Sequence, residues 1–172
     1  MNKRAAAWGM ALALGAASPA VWTGSASAEG VNDDLAAVRA ATAAYHNEDK
    51  AVADGYIPGL EFCAESPEGA MGYHDVNPAN FEGPLDARKP QALLYQPGAD
   101  GSRKLVAVEY IVIDADQDTA TDDDRPYLFG QPFDGPVEGH GPDMPVHYTL
   151  HVWVWQHNPA GMFAEWNPAG SC

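Results

Sequence analysis

The stretch PVHYTLHVWVWQHNPAGMFAEWNPAGSC, residues 145–172, decides how the fold of this chain is interpreted. Residues 147–156 are mainly β-branched and aromatic, which predicts a strand rather than a helix. Side chains on a strand point alternately to its two faces, so this strand has one mixed face and one core face. The mixed face carries His147, Thr149, His151, Trp153, Trp155 and His157, and the core face carries Tyr148, Leu150, Val152, Val154 and Gln156.

A second strand, KLVAVEYIVI at residues 104–113, is apolar on both faces. Such a strand is typical of the centre of a sheet that is covered on both sides. Alternation places Val106, Val108, Tyr110 and Val112 on one face, and Leu105, Ala107, Glu109, Ile111 and Ile113 on the other. Glu109 is the exception in this run, because a buried carboxylate is costly unless it is hydrogen-bonded, paired or bound to a metal.

Upstream of these strands, residues 31–56 predict one amphipathic helix. Asn32 or Asp33 can cap its start, and Gly55 can end it in a left-handed conformation. Short β-rich runs at 60–63, 71–76, 92–96 and 127–129 follow, separated by Gly, Pro and Asn. The predicted fold is therefore α+β: an N-terminal helix packed on a predominantly antiparallel sheet or small half-open barrel, with long Gly/Pro-rich loops.

The first residues have the pattern of a secretory signal peptide. A basic MNKR start precedes an apolar run, and a small-residue end predicts cleavage after Ala28. Gly15, Ser18 and Pro19 interrupt the apolar run, which disfavours a membrane-spanning helix. Residues 29–172 then form a single globular domain, and the protein is expected to be secreted or periplasmic.

Charge and cysteine content narrow the classes of partner. The formal net charge is −15, which disfavours nucleic acid and anionic membranes as partners and is compatible with a cation or a basic partner. High acidity also serves solubility alone. Cys63 and Cys172 are the only two cysteines, and in an oxidising compartment such a pair predicts one disulfide. Two free thiols or two metal ligands are the alternative.

Histidines and one carboxylate lie on strands, and together they suggest a metal site. His147 and His151 are four residues apart, which on a strand is roughly 13 Å, so one ion cannot bind both. We predict instead a site that combines His151 with His74, from MGYHDV, and Glu109. Two histidines and a carboxylate from three strands suit iron, zinc or copper. His147 is a candidate fourth ligand or a group that supports the others.

Two other interpretations of the same residues remain open. In the first, the protein is metal-free, Trp153 and Trp155 hold a small apolar ligand, and Glu109 with His151 performs acid–base chemistry. In the second, the histidine row and Glu109 are hydrogen-bonded core residues of a structural or partner-binding domain.

An acidic loop, DADQDTATDDDR at residues 114–125, has the beginning of a calcium-loop pattern. Asp114, Asp116 and Asp118 have the one-three-five spacing of such a loop. Thr119 replaces the glycine at position six, and Arg125 replaces the glutamate at position twelve. Calcium binding here is one interpretation, and a solvated acidic loop is the other.

Several segments together resemble a family of small secreted bacterial proteins of unassigned function. The resemblance is carried by GAMGYHDVNP (69–78), ALLYQP (92–97), LVAVEYIV (105–112), LFGQPFDG (128–135) and HVWVWQHNPAGMFAEWNPAGSC (151–172). It implies a secreted, single-domain protein. It implies no activity, so any function has to be argued from the residues themselves.

Overall fold

A computed structural model describes residues 28–140 and 144–172 of the chain. The predicted signal peptide, residues 1–28, lies outside these ranges except for Ala28. The helical segments are α1 (Ala28–Thr42), a 3-10 turn (Ala43–His46), α2 (Glu48–Ala53) and a second 3-10 turn (Pro78–Phe81). The strands are β1 (Cys63–Ser66), β2 (Gly69–Val76), β3 (Ala92–Pro97), β4 (Arg103–Ile113), β5 (Tyr127–Leu128), β6 (Gln131–Pro132), β7 (Asp134–Val137) and β8 (His147–Val152).

One curled six-stranded sheet forms the body of the protein, in the order β1-β2-β3-β4-β8-β7. All its pairs are antiparallel, and β5 and β6 form a separate small hairpin. The helix α1 packs on one face of the sheet through Leu35, Val38 and Thr42. The predicted α+β fold, with a helix on an antiparallel half-open barrel, is confirmed.

The apolar side chains form two clusters on the two sides of the sheet. The helix-side core contains Leu35, Val38, Ala51, Tyr56, Leu93, Tyr95, Leu105, Val108, Tyr110, Phe129, Phe133, Tyr148, Leu150, Val152 and Val154. The core on the other side of the sheet is smaller, and we call it the site-side core because Glu109 lies on this side. It contains Ala64, Met71, Ala92, Leu94, Val106, Ala107, Ile111 and Trp153. The strand β4 contributes to both clusters, so the prediction of a strand covered on both sides is confirmed.

The prediction of a single helix at residues 31–56 is wrong, because the helix is interrupted at Asn47. The Asn47 side chain accepts a hydrogen bond from the Asp49 N–H at 3.1 Å and caps a new helix, α2. An asparagine competes with the helical backbone in this way more readily than it continues a helix. The end of the segment is as predicted, since Gly55, which follows the C-cap residue Asp54 of α2, has a φ of 99°.

Two predicted strands have different bounds in the structure. The run 60–63 is mostly loop, with Leu60 and Phe62 exposed by 64% and 74%, and the strand starts only at Cys63. The run 147–156 stops being a strand after Val152. From there the chain turns away, and the Trp153 N–H donates to the Met162 carbonyl at 2.9 Å.

A β-bulge in β4 explains why strict alternation fails there. Leu94 pairs with Ala107 but Tyr95 pairs with Leu105, so Val106 is an extra residue. Val106 consequently lies in the site-side core and Leu105 in the helix-side core, the reverse of the prediction. Beyond the bulge the predicted alternation holds, which leaves Glu109 on the site side.

The chain segment after β8 packs on both sides of the sheet and then returns to β2 and β1. Asn158 and Asn167 each accept a hydrogen bond from the backbone two residues on, and each donates to the backbone of the other's turn. Ala70 of β2 pairs with Asn167. The predicted disulfide between Cys63 and Cys172 is present, with an S–S distance of 2.08 Å, and ties this segment to β1.

A buried ion pair joins α2 to the sheet at the opposite face. Arg103 donates to Asp75 at 2.6 Å and to Glu48 at 2.5 Å, and its guanidinium lies over the rings of Tyr73 and Tyr95. The Asp75 side chain is fully buried. Because a buried carboxylate depends on its cationic partner, this pair is expected to fix α2 on the sheet.

Replacing Arg103 by methionine should lower the free energy of unfolding by about 3–5 kcal/mol, because it leaves Asp75 buried without a cation. Urea denaturation of the purified variant measures the change. Arg88→Met, at an exposed position, is the matched control and should unfold like the wild type. A double variant with Asp75→Asn should recover part of the loss. If Arg103→Met and Arg88→Met have the same free energy of unfolding, the role given to Arg103 is contradicted.

Within the two described ranges, no helix has both the length and the apolar character needed to cross a lipid bilayer.

Candidate metal centre

Three strands bring His74, Glu109 and His151 to one point on the site side of the sheet. In the β4–β8 register, Glu109 is directly opposite His151. His74 is on β2, which is separated from β4 by β3. The three side chains form the one group in the described part of the chain whose His, Cys, Asp or Glu atoms are close enough to share an ion. The predicted combination of these residues is therefore found in the structure.

The distances in this group suit a shared ion better than direct hydrogen bonds. His74 Nε2 lies 3.5 Å from Glu109 Oε2, and His151 Nε2 lies 3.7 Å from Glu109 Oε1. One ligand atom from each residue falls within 4.8 Å of the others. Good nitrogen–oxygen hydrogen bonds are shorter, at about 2.7–3.2 Å. Two atoms bound tetrahedrally to a zinc ion at about 2.1 Å are about 3.4 Å apart.

A small residue on the strand between them allows His74 and Glu109 to approach each other. Ala92 of β3 is opposite Glu109 and is fully buried, and His74 is opposite Leu94 in the next position on the same face. Strands two places apart are about 9.5 Å from each other. Ala92 is directly opposite Glu109 and adds only a methyl group to this face, so it takes little of the space between the two residues.

Two glycines allow close backbone contacts around His74. Gly72 has a φ of 105°, and a Cβ there would lie 2.3 Å from the Tyr95 carbonyl oxygen. A Cβ on Gly59 would lie 2.3 Å from the carbonyl oxygen of His74 itself. The His74 ring also hydrogen-bonds to the Gly72 backbone. A backbone partner of this kind commonly orients a histidine that binds metal through its other nitrogen.

His151 is buried without a hydrogen-bond partner. Its side chain is 2% exposed, and neither ring nitrogen has a partner among the described residues. A polar group buried in this way costs about 1–3 kcal/mol. The two other side chains complete an enclosed site with one open side, since Glu109 is 8% exposed and His74 is 23% exposed.

Burial shifts the pKa values of all three groups toward their neutral forms. It raises the pKa of Glu109 to about 8, with a smaller contribution from the Glu165 carboxylate. It lowers the pKa of His74 to about 4, partly offset by the Gly72 hydrogen bond and helped by His140. It lowers the pKa of His151 to about 3, with His74 as a further cause. In the absence of a metal ion, the group at pH 7 is two neutral imidazoles and a mostly protonated carboxyl.

Other predicted site residues lie apart from this group. His147 is buried at the far end of β8, where its Nδ1 bonds to the Pro145 carbonyl at 2.9 Å and its ring is 5.6 Å from that of His140. Trp153 belongs to the site-side core, whereas Trp155 packs against the helix-side core. The predicted platform of Trp153 and Trp155 is not formed, because the alternation it assumed ends at Val152.

The acidic loop after β4 is a separate feature. Asp114 is buried, whereas Asp116 and Asp118 are exposed. Asp114 is five residues from Glu109 along β4 and its continuation, a distance of about 16 Å. The three aspartates of the calcium prediction therefore have no part in the His/Glu group.

The sequence did not indicate two nearby residues that shift pKa values within the group. Glu165, from the segment after β8, adds to the rise in the Glu109 pKa, and His140 contributes to the fall in the His74 pKa. Both residues are exposed and lie on loops, where no periodicity indicates what they face.

An apolar cleft adjoins the group on the same side of the sheet. It has a volume of about 450 Å³ and is lined by Val76, Pro78, Phe81, Ile111, Ile113, Met144 and Pro145. Val76 and Ile111 are each two residues from a member of the group, His74 and Glu109. Two residues along a strand correspond to about 7 Å, so the cleft lies next to the group without being lined by it.

No family model matches this chain, and no curated protein or solved structure is detectably similar to it. The chemistry of the group consequently has to be argued from its own geometry. Two imidazole nitrogens and one carboxylate oxygen can hold a metal ion, and this ligand set suits iron, zinc or copper.

Proposed function

We propose that this protein is an exported metal-binding protein, a transition-metal carrier or small oxidoreductase, that holds one ion through His74, Glu109 and His151. The observation that carries the proposal is the buried His151 ring, whose two nitrogens have no partner within residues 28–140 and 144–172. A metal ion bound at Nε2 would give one of the two nitrogens a partner, and it would stabilise ionised Glu109.

Three protein ligands would leave open coordination positions on the bound ion, so the ion would remain reactive. Structural zinc sites are usually closed by four protein ligands, whereas three protein ligands leave positions for water or a substrate. The exposed edge of His74 is the route by which such a ligand would arrive. The same arrangement of two histidines and one carboxylate serves iron enzymes that react with small molecules at open positions.

Elemental analysis of protein purified through its export route tests the proposal. We expect about one transition-metal ion per chain in the wild type and none in His151→Ala, because the variant loses a required ligand. His157→Ala changes an exposed histidine six residues away and should keep the ion. The proposal fails if wild type and His151→Ala are both metal-free and neither binds added copper, zinc or iron tightly.

A second candidate function is metal-free binding of a small apolar molecule with acid–base chemistry at Glu109. The apolar cleft and the raised pKa of Glu109 favour it, since a carboxyl with a pKa of about 8 can both donate and accept a proton near neutral pH. Trp153, in the site-side core, provides a fluorescent reporter. A fluorescence change with small hydrophobic ligands but with no metal ion would favour this candidate over the first.

A further inference from the structure

The apolar cleft and the metal group share one row of side chains across the sheet. Val76 of β2, which lines the cleft, is opposite Ala92 of β3, and Ala92 is in turn opposite Glu109 of β4. Paired residues on neighbouring strands point to the same face of a sheet, so Val76 and Glu109 lie on the two sides of Ala92. The side chain between the cleft and the group in this row is therefore only a methyl group.

The strand β4 carries the cleft away from the group. Ile111 and Ile113 line the cleft, and they lie two and four residues beyond Glu109 on the same face of the strand. At about 3.3 Å per residue, these positions are about 7 Å and about 13 Å from Glu109. The cleft thus begins beside the His/Glu group and continues along the sheet, so a molecule that fills it has one end next to the group.

The cleft has the character of a small-molecule site. Its lining side chains in the described part of the chain are all apolar. Three of them remain exposed around one concave surface, Phe81 by 38%, Ile113 by 42% and Met144 by 36%. Single exposed apolar residues are ordinary, whereas an apolar concave surface of this kind is typical of a ligand site. Its volume of about 450 Å³ also falls in the range of such sites, about 300–1,000 Å³.

Charge restricts what this cleft takes. The formal net charge of the chain is −15, which opposes the approach of anions. The described lining residues include no Lys, Arg or His that could pair with an anion inside the cleft. An unpaired charge in apolar surroundings is costly, so the part of a ligand that lies in the cleft has to be uncharged.

We propose that the cleft and a metal ion held by His74, Glu109 and His151 form one site for a small uncharged molecule, which has an apolar body and a single nitrogen or oxygen donor. This inference rests on the metal-binding function proposed above. The donor atom takes an open position on the ion, because three protein ligands leave such positions free. The apolar body lies in the cleft, where its burial contributes to affinity in proportion to its area.

A series of 1-alkylimidazoles tests this site on protein loaded with cobalt(II). The free ring nitrogen of each probe binds the ion, the visible absorbance of cobalt reports binding, and the cobalt content after each titration shows that the ion is retained. We expect 1-butylimidazole to bind about 10- to 60-fold more tightly than 1-methylimidazole, since each of the three added methylenes contributes up to about fourfold when buried. A carboxylate at the end of the butyl chain should remove this gain.

Variants of the lining separate the cleft from the ion. Phe81→Asp places a charge in the cleft, and it should abolish the gain from the butyl chain while keeping the cobalt and the affinity for 1-methylimidazole. Met144→Asp changes a lining residue from another part of the chain and should have the same effect if Phe81→Asp does not fold. The matched control is Phe62→Asp, which changes an exposed phenylalanine outside the cleft and should keep the gain.

The outcomes distinguish this inference from the metal-binding function. If the wild type binds cobalt but has equal affinity for the two probes, the inference is overturned and the metal centre stands. If the wild type takes up no cobalt, both are refuted. Equal affinity of 1-butylimidazole for loaded and metal-free protein also overturns the inference, because the ion then contributes nothing to binding. The same holds if Phe62→Asp loses the gain as completely as Phe81→Asp.

Discussion

Replacing Glu109 by glutamine should weaken transition-metal binding by more than about 100-fold and, in the metal-free protein, increase stability. The affinity falls because an anionic ligand is lost, and changes to groups that merely support a ligand already cost about 10–100-fold. The free energy of unfolding rises because the folded state no longer contains a carboxyl group that is costly to ionise when it is buried. The two effects have opposite signs, which a general disruption of the fold would not produce.

The stability effect follows from the pKa of Glu109. Its value of about 8 in the folded protein is above the ordinary 4.5, so protonation favours folding and ionisation opposes it. The contribution of Glu109 to stability is complete below pH 4.5 and is lost as the pH rises toward 8. At pH 8 in chelator, Glu109→Gln should therefore be more stable by on the order of 4 kcal/mol.

Urea denaturation in chelator and a competition titration with zinc measure the two effects of this change. Glu165→Gln is the matched control, because it makes the same substitution at an exposed carboxylate that also acts on the site. It should lower the Glu109 pKa slightly and keep the metal. Tight zinc binding by Glu109→Gln would contradict the assignment of Glu109 as a ligand.

Zinc affinity of the wild type should rise about tenfold per pH unit between about pH 5 and pH 8, and then level off. Over this range the increase is about 1,000-fold. The reason is that the ion binds ionised Glu109, whose pKa without metal is about 8. His74 and His151, with pKa values of about 4 and about 3, are already neutral above pH 5 and release no proton.

Calorimetry in buffers with different ionisation enthalpies counts the protons released in this reaction. We expect about one proton per ion near pH 6.5, and a pH-independent affinity for Glu109→Gln. A release of two or three protons would show that the histidines are charged in the free protein. No release would show that Glu109 is already ionised, and either result would contradict the neutral state described for this group.

The residues of the site could be predicted from sequence because each breaks a local pattern. Glu109 interrupts an apolar strand, and His151 shares a strand face with a second histidine four residues away. Their direct pairing depends on strand order, which the sequence does not determine. The position of His74 is less obvious still, because a whole strand separates it from Glu109.

The errors have a common physical origin in single residues that override periodicity. Asn47 caps a second helix where hydrophobic spacing suggests one continuous helix. Val106 forms a bulge that exchanges the faces of its neighbours and ends β8 early, since its carbonyl accepts from the N–H groups of both Trp155 and Gln156.

Ala92 changes how this site should be searched for in other sequences. Its methyl group takes little of the space on the face of β3 between His74 and Glu109, although it carries no chemistry of its own. A chain that has both histidines and the glutamate but a bulky residue at this position would keep the ligands and lose the centre. A useful signature for the site therefore has four positions, and the fourth is defined by small volume.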